Sequence, residues 1–577
     1  MTPSKAVAAL FAQIADLLEY REENPFRIRA YRRAAQHLER FSGDVAALAR
    51  EGRLKELSGI GTDLAEKITE YLSTGKIAAL ERLRRTVPPG VLPLLEVPGV
   101  GPKSAKALTE RLGITSIDRL EQAVQRHRVA ALPGFGAQKE QNILKGIQII
   151  RQGRARMHLG IAVPLAQELV QFLERLPGVT RVSTAGSLRR MRETIGDLDL
   201  LAAATRPSGV MEAFCHSSFC VRVLGSGRTK SSILTADGVQ VDLRVVNPES
   251  FGAALQYFTG SKEHNVRVRE LARRRGLKVN EYGVFRVKTG RRVAGREEAD
   301  VYQALGLPWI PPELREDRGE LEAARTGTLP RLVETKDVRG DFHIHTTWSD
   351  GSDPLEDMAR AGQALGYEYL AICDHSPSLA VAHGMSVKRL RQQMTKIRAL
   401  NRRFTRFRLL MGAEVDILAD GSMDYPDAVL QDLDFVIGSI HSGFTHSEAT
   451  LTRRLVTAMR NPYVNLIAHP TGRLMGQREP YAIDLEAAFR AAAETSTALE
   501  LNAYPTRLDL GDAAAHRAKD VGAMLAISTD SHSRSHLQYF TLGLGLARRA
   551  WVEPRHLLNC ASLDQLLAWV ARKRRRR

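Results

Sequence analysis

Cysteine is scarce in this chain, four in 577 residues, and no two stand as Cys-x-x-Cys. That excludes a disulfide framework and points to a reducing compartment, with the four thiols expected in cores. Long apolar runs are missing as well: nothing approaches the roughly 18 consecutive residues that a membrane helix needs. The opening stretch MTPSKAVAALFAQIADLLEYREEN alternates apolar and charged positions at helical spacing and lacks the apolar core of a signal segment. A soluble cytoplasmic protein is the expectation. Acidic residues are in deficit, 65 against 83 lysines and arginines, for a formal charge of +18, which favours a polyanionic partner such as nucleic acid. The length exceeds that of one domain, and the closing ARKRRRR, 571–577, is expected to be a solvated basic tail.

Helical spacing dominates residues 4–150, and three short turns recur within it: LSGIG at 57–61, VPGVG at 97–101 and LPGFG at 132–136. Each precedes a helix-compatible, partly basic run, so the expectation is two helices joined by a glycine turn, repeated three times. Glycine lets the backbone approach a ligand closely, and amides at the next helix start can hold a phosphate. Gly59, Gly61, Gly99, Gly101, Lys103, Gly134, Gly136 and Lys139 are the candidate DNA contacts. The turns resemble helix-hairpin-helix motifs, which grip the DNA backbone without reading bases. NPFRIRAYRRAAQHL, 24–38, sets four arginines around Tyr31 on a helix, either a solvated basic face or a further DNA contact.

In the middle third, AGSLRRMRETIGDLDLLA at 185–202 leads from a Gly-Ser turn into an Asp-x-Asp strand, and alternation puts Asp197 and Asp199 on one face. GVQVDLRVV at 238–246 alternates again, offering Asp242 if the two strands are neighbours. Carboxylates side by side repel unless a cation lies between them; a solvated strand face is the alternative. Three such groups holding two magnesium ions would suit in-line phosphoryl transfer from a nucleotide to a primer 3′ hydroxyl.

The order Gly-Ser-x-Arg-Arg-x-x-Glu-x-x-Gly-Asp-x-Asp, then Asp-x-Arg, LQYFTGSKEHN at 255–265 and VNEYGVF at 279–285, resembles the X family of DNA polymerases, to which polymerase β belongs. The likeness covers residues 1 to about 315 and implies a multidomain chain. It assigns 1–85 to a helical lyase-like DNA-binding domain, 86–155 to a fingers-like helix-hairpin-helix domain, 156–247 to an α+β nucleotidyltransferase palm and 248–314 to a domain holding the nucleotide and nascent pair. It makes Asp197, Asp199 and Asp242 the catalytic magnesium ligands. Gly186, Ser187, Arg190 and Gly196 fall at the triphosphate, Tyr257, Phe258, Gly260 and Asn265 at the sugar and base, and Arg269 at the template side. Gln240 and Ile195 stand where polymerase β has an arginine and a serine, which bears on rate and metal preference. Lys67 falls at the family's deoxyribose-phosphate lyase lysine with Tyr31 as neighbour, but Phe26, Asp63 and Ala79 replace its histidine and two lysines. A helix lysine touching DNA is the competing reading.

After a proline-rich then charged stretch, with 315–338 expected to be a linker, apolar strand-like runs alternate with helical ones. Six strand ends, DFHIH, YLAICDH, LLMGAEVD, DFVIGSIH, VNLIAHP and MLAISTDSH, carry polar groups, while ALELNAY carries Asn502. Repeated strand-helix units predict a parallel barrel whose strand C-termini form the active face. There His343, His345, Asp350, His375, Glu414, His441, His469, Asp530 and His532 gather six imidazoles and three carboxylates, enough for two or three ions. The set resembles the polymerase and histidinol phosphatase (PHP) domain over 339–570, a distorted (β/α)7 barrel that cleaves phosphoesters with manganese or zinc. The whole then implies a monomeric polymerase that takes dNTPs, fills short gaps in nicked or gapped DNA bearing a 5′ phosphate, and trims 3′ ends in repair. Abasic-site incision, a small-molecule phosphatase and a DNA-end scaffold are the rivals.

Overall fold

The computed structural model describes residues 3–40, 45–57, 59–88, 90–97, 99–153 and 156–575. These form two compact units: residues 1–155 with 476–479, and the remainder.

The first unit is helical around its own core, in which Phe11 meets Tyr31 edge-on at 5.5 Å. Gly59, Gly99 and Gly134 adopt φ of +78°, +88° and +82°, conformations that glycine tolerates at no steric cost. Helices start just beyond, at Thr62–Thr74, Pro102–Leu112 and Gly136–Gly153. The chain entering each turn is shorter than expected: a single 3-10 turn at Leu54–Glu56, a five-residue helix at Val91–Leu95, and only turns before Gly134. Gly52 at φ +71° breaks the first, and the residue before Pro133 is biased away from helix in the third. Arg27, Arg29, Arg32 and Arg33 of helix Pro25–Arg40 are exposed, but Tyr31 between them is not. It is 1% exposed and packs inward because its apolar neighbours share that helix face, so it is not presented to DNA.

In the second unit a five-stranded sheet runs Val179–Thr184, Leu198–Ala204, Gln240–Val246, Lys230–Leu234, Arg222–Ser226, with the second and third strands parallel. Leu198, Leu200, Val241, Leu243 and Val245 are buried on one side. The barrel's seven parallel strands follow chain order from Gly340–Ile344 to Leu525–Ser528. His345 N to Ser531 O (2.8 Å) and Ser531 N to His343 O (3.0 Å) bring the last strand back to the first. Sheet and barrel share one apolar core. Two close approaches leave no room for a side chain: a Cβ on Gly160 would lie 2.4 Å from Pro505, and one on Gly545 2.3 Å from Met191.

The segment expected to be a linker is built into the fold. Arg315 is fully buried, donating to Glu298 at 2.6 Å and to the Ile310 carbonyl at 2.9 Å. Glu298 also takes both ends of the Arg189 guanidinium, at 2.7 and 2.8 Å. Burial opposes the charged carboxylate, but the two arginines outweigh it and hold Glu298 well below the ordinary range. The basic tail is likewise not free through its described part. Helix Leu563–Arg574 runs into it, with Lys573 buried and donating to the Met459 carbonyl at 3.1 Å. The aliphatic lysine stem packs where a free tail was expected; Arg576 and Arg577 lie outside the described residues.

Candidate active sites

Parallel pairing in register sets Asp199 directly beside Asp242. Asp197 stands just before its strand rather than in it, yet one oxygen from each of the three carboxylates falls within 4.8 Å of the others. Burial, then the charges of Asp197 and Asp242, push Asp199 up to about 7. Burial also works to raise Asp242, but hydrogen bonds from Lys230 (2.6 Å), Gln240 (2.9 Å) and Ser232 outweigh it and lower its carboxyl. Gln240 thus supplies a neutral donor to the third carboxylate, and Ile195, fully buried, pairs with Met157. This converging, mutually repelling triad fits divalent cations. Because a cation must displace the proton on Asp199, magnesium affinity is expected to fall as pH drops from 8 to 6. Calorimetry in two buffers of different ionisation enthalpy should show linked proton release that Asp199→Asn abolishes.

Beside the triad opens a cleft of about 650 Å³ lined by Gly186, Ser187, Arg190, Gly196, Tyr257, Phe258, Gly260, Asn265 and Arg269, the whole predicted nucleotide set. Asn265 donates to the Tyr257 carbonyl at 2.7 Å and accepts from Gln256 at 2.8 Å, which fixes its orientation. The two rings stand edge-on at 5.1 Å, with Arg244 4.2 Å from the Phe258 ring centre. Sequence reading missed Arg192, Lys262 and Glu316 on the same lining.

At the barrel's C-terminal face all nine predicted ligands converge, with ligand atoms in three overlapping groups: His345, Asp350, His375 and His532; His343, His345 and Asp530; His375, Glu414 and His441. His469 joins through Nε2, 3.2 Å from Glu414. Buried nitrogens of His343, His345, His375 and His469, with Glu414 Oε1, have no hydrogen-bond partner among the described residues. Buried polar atoms are rarely left so, and ligand atoms gathered this closely fit metal ions. His469 and Asp530 also hold left-handed φ values of +28° and +51°, strain of the kind that collects at functional sites.

Two orienting carboxylates escaped the sequence reading. Glu500, fully buried, accepts from His343 Nδ1 at 2.7 Å, and Asp416 accepts from His441 Nδ1 at 2.7 Å. Each fixes the tautomer that leaves Nε2 facing Glu414. The acidic residue inside the apolar run ALELN was the available signal. Glu500→Gln is expected to weaken metal binding about 10- to 100-fold, measured by competition with a chromogenic chelator.

Lys67 does not present a free amine. Its Nζ is bonded to the Asp63 carboxylate one helical turn away, and the Tyr31 hydroxyl, fully inward, does not join it. A Schiff-base nucleophile needs its lone pair free.

A palm-type carboxylate triad beside a nucleotide-sized cleft, joined to a parallel barrel carrying a multi-histidine metal site, defines a two-site class of phosphoryl-processing protein. Family models match accordingly: the DNA polymerase beta thumb at residues 254–316, a helix-hairpin-helix domain at 2–77, a SAM-like helix-hairpin-helix tandem at 91–148 and the PHP domain at 341–503. The DNA polymerase/3′-5′ exonuclease PolX of Bacillus subtilis (strain 168) is 40% identical over 570 residues, covering 98% of this chain and 99% of that protein. The chain belongs to the family X DNA polymerases with a C-terminal PHP domain. A stretch covering 41% of this chain is similar to probable phosphatases of Thermoanaerobacter sp. (strain X514), 26% identical, and Acetivibrio thermocellus, 28% identical, each covered to 96%. No described helix is long and apolar enough to cross a membrane.

Proposed function

We propose that this chain is a DNA-directed DNA polymerase that fills short gaps in base excision and break repair, and that its barrel is a 3′-5′ exonuclease preparing the ends. The observation that carries the reading is the coexistence of two complete donor sets in a chain related end to end to a polymerase/exonuclease.

In the polymerase site Asp197, Asp199 and Asp242 would hold magnesium, which when bound supplies charge neutralisation at the reacting phosphate and primer hydroxyl. Ser187 and Arg190 grip the triphosphate, with Gly196 and the Gly260 turn leaving space for it. Tyr257 and Phe258 wall the sugar, Asn265 meets the base edge and Arg269 the template side. In the barrel the nine ligands would hold two or three manganese or zinc ions, which supply Lewis acidity for phosphoester cleavage; the likeness to PolX favours a nuclease over the phosphatase of the shorter relatives. Gly61 and Gly101 support the DNA assignment in another way. Both have ordinary φ and open space where a Cβ would stand, so the fold does not need glycine there, whereas a closely approaching phosphate backbone does. The partners are then gapped or nicked DNA with a 5′ phosphate, and dNTPs, bound by a cytoplasmic monomer with four free cysteines.

A gapped duplex with labelled primer, with and without dNTPs, tests the reading. Asp197→Ala should lose extension only, and His343→Ala shortening only. Extension that survives Asp197→Ala sinks the polymerase assignment. Wild-type protein that never shortens the primer but releases phosphate from small esters moves the barrel to the phosphatase class.

A further inference from the structure

Arg549 closes the barrel helix Phe540–Arg549, yet its hydrogen bonds lead into the polymerase site. The side chain is 2% exposed. Nη1 donates to the Arg190 carbonyl at 2.7 Å and to Glu316 Oε1 at 2.9 Å, and Nη2 donates to Asp512 at 2.7 Å. Glu316 Oε1 also accepts from Arg190 Nε at 3.0 Å. Its other oxygen lies 3.5 Å from Arg192.

The loop from Arg190 to Glu193 is therefore clamped by the barrel at three points. Arg549 takes the Arg190 carbonyl, Met191 lies against the bare backbone of Gly545, and Arg473 donates to Glu193 at 2.9 Å. Arg190 lines the nucleotide cleft while its partner Glu316 is only 10% exposed. A buried carboxylate must be satisfied by whichever cations reach it. With Arg549 present, Glu316 divides its charge among three guanidiniums, those of Arg549, Arg190 and Arg192. Without Arg549 the same carboxylate pulls harder on Arg190 through the oxygen they share, and Arg190 is the group that has to engage the incoming polyphosphate, while Arg192 stays on the other oxygen.

We infer that Arg549 is a positioning residue for nucleotide binding: it draws off Glu316 and fixes the Arg190 loop, so the barrel is part of the polymerase site independently of its own metal cluster. The inference rests on the assignment of Arg190 to the triphosphate.

The test is nucleotide titration of gap filling with the full chain, scored against primer shortening by the same preparation. Arg549→Met should raise the KM for nucleotide about tenfold with kcat within about threefold of wild type, and leave shortening unchanged. Arg549→Lys, which keeps the charge and carries the test if the Met variant folds poorly, should recover part of that loss. In a Glu316→Gln background the further loss of Arg549 should raise KM clearly less than it does in the wild-type background, since the route through Glu316 is already gone and only the hold on the Arg190 carbonyl remains. An unchanged KM in Arg549→Met, additive effects in the double variant, or extension and shortening falling together would each overturn the inference. Arg190→Ala separates the two levels of argument: a normal KM there overturns the triphosphate assignment and this inference with it. A raised KM beside an unaffected Arg549→Met overturns the inference alone.

Discussion

Glu414→Gln is expected to cut 3′ shortening by on the order of a thousandfold or more and to lower the metal bound per chain, with gap filling intact. Glu414 is 2% exposed at the centre of the cluster. Oε2 lies 2.9 Å from His375 Nδ1, 3.2 Å from His343 and 3.5 Å from His345, while Oε1 lies 3.2 Å from His469 and 3.3 Å from His441. One carboxylate therefore faces five imidazoles, the position from which it can bridge cations. Glutamine keeps the shape but replaces one acceptor oxygen with a donating NH₂ and removes the charge. Elemental analysis of the purified variant beside shortening and extension assays gives the answer. Full metal content with normal shortening would remove Glu414 from the site.

Gly186→Ala should lower extension on the order of a hundredfold or more while leaving shortening untouched. Gly186 opens the short helix Gly186–Arg189 at φ +57°, a conformation an L-residue resists. Its missing side chain is also the space Asp199 occupies, for a Cβ there would lie 2.1 Å from Asp199 Oδ2. The flexible carboxylate must swing away, and a metal ligand displaced by an ångström no longer serves in-line transfer. Single-turnover extension at saturating nucleotide isolates this from weaker binding. A wild-type rate would mean that Asp199 is dispensable or that the turn opens freely.

The convergence of the barrel's polar residues was legible because most follow apolar runs near strand ends, and a parallel barrel brings strand C-termini to one face. That Ser187, Arg190, Tyr257 and Asn265 meet on one cleft was legible through the spacing of their motifs. Glu500 was not, because its partner His343 lies 157 residues away and nothing local distinguishes a carboxylate that orients a ligand from one that is a ligand. Tyr31 misled because helical spacing tells which residues share a face but not which face meets the core. Lys67 was placed by position alone, and the Asp63 read only as a missing lysine pairs with its amine.

The sequence by itself determined the elements and the chemistry available to them: the glycine turns, the Asp-x-Asp strand, the nine strand-end ligands and the excess of basic charge. Only the tertiary structure decided which groups act on one another. It set Asp199 level with Asp242 through parallel register, put Glu414 among five histidines, and turned a segment that reads as a linker into a packed bridge around Arg315. It also carried Arg549 from the last barrel helix to the loop of Arg190, a contact between residues 359 positions apart. Local pattern specifies helices, strands and turns because those depend on neighbours in the chain. Pairing across hundreds of residues depends on which buried surfaces close together, and that is settled when the whole core packs.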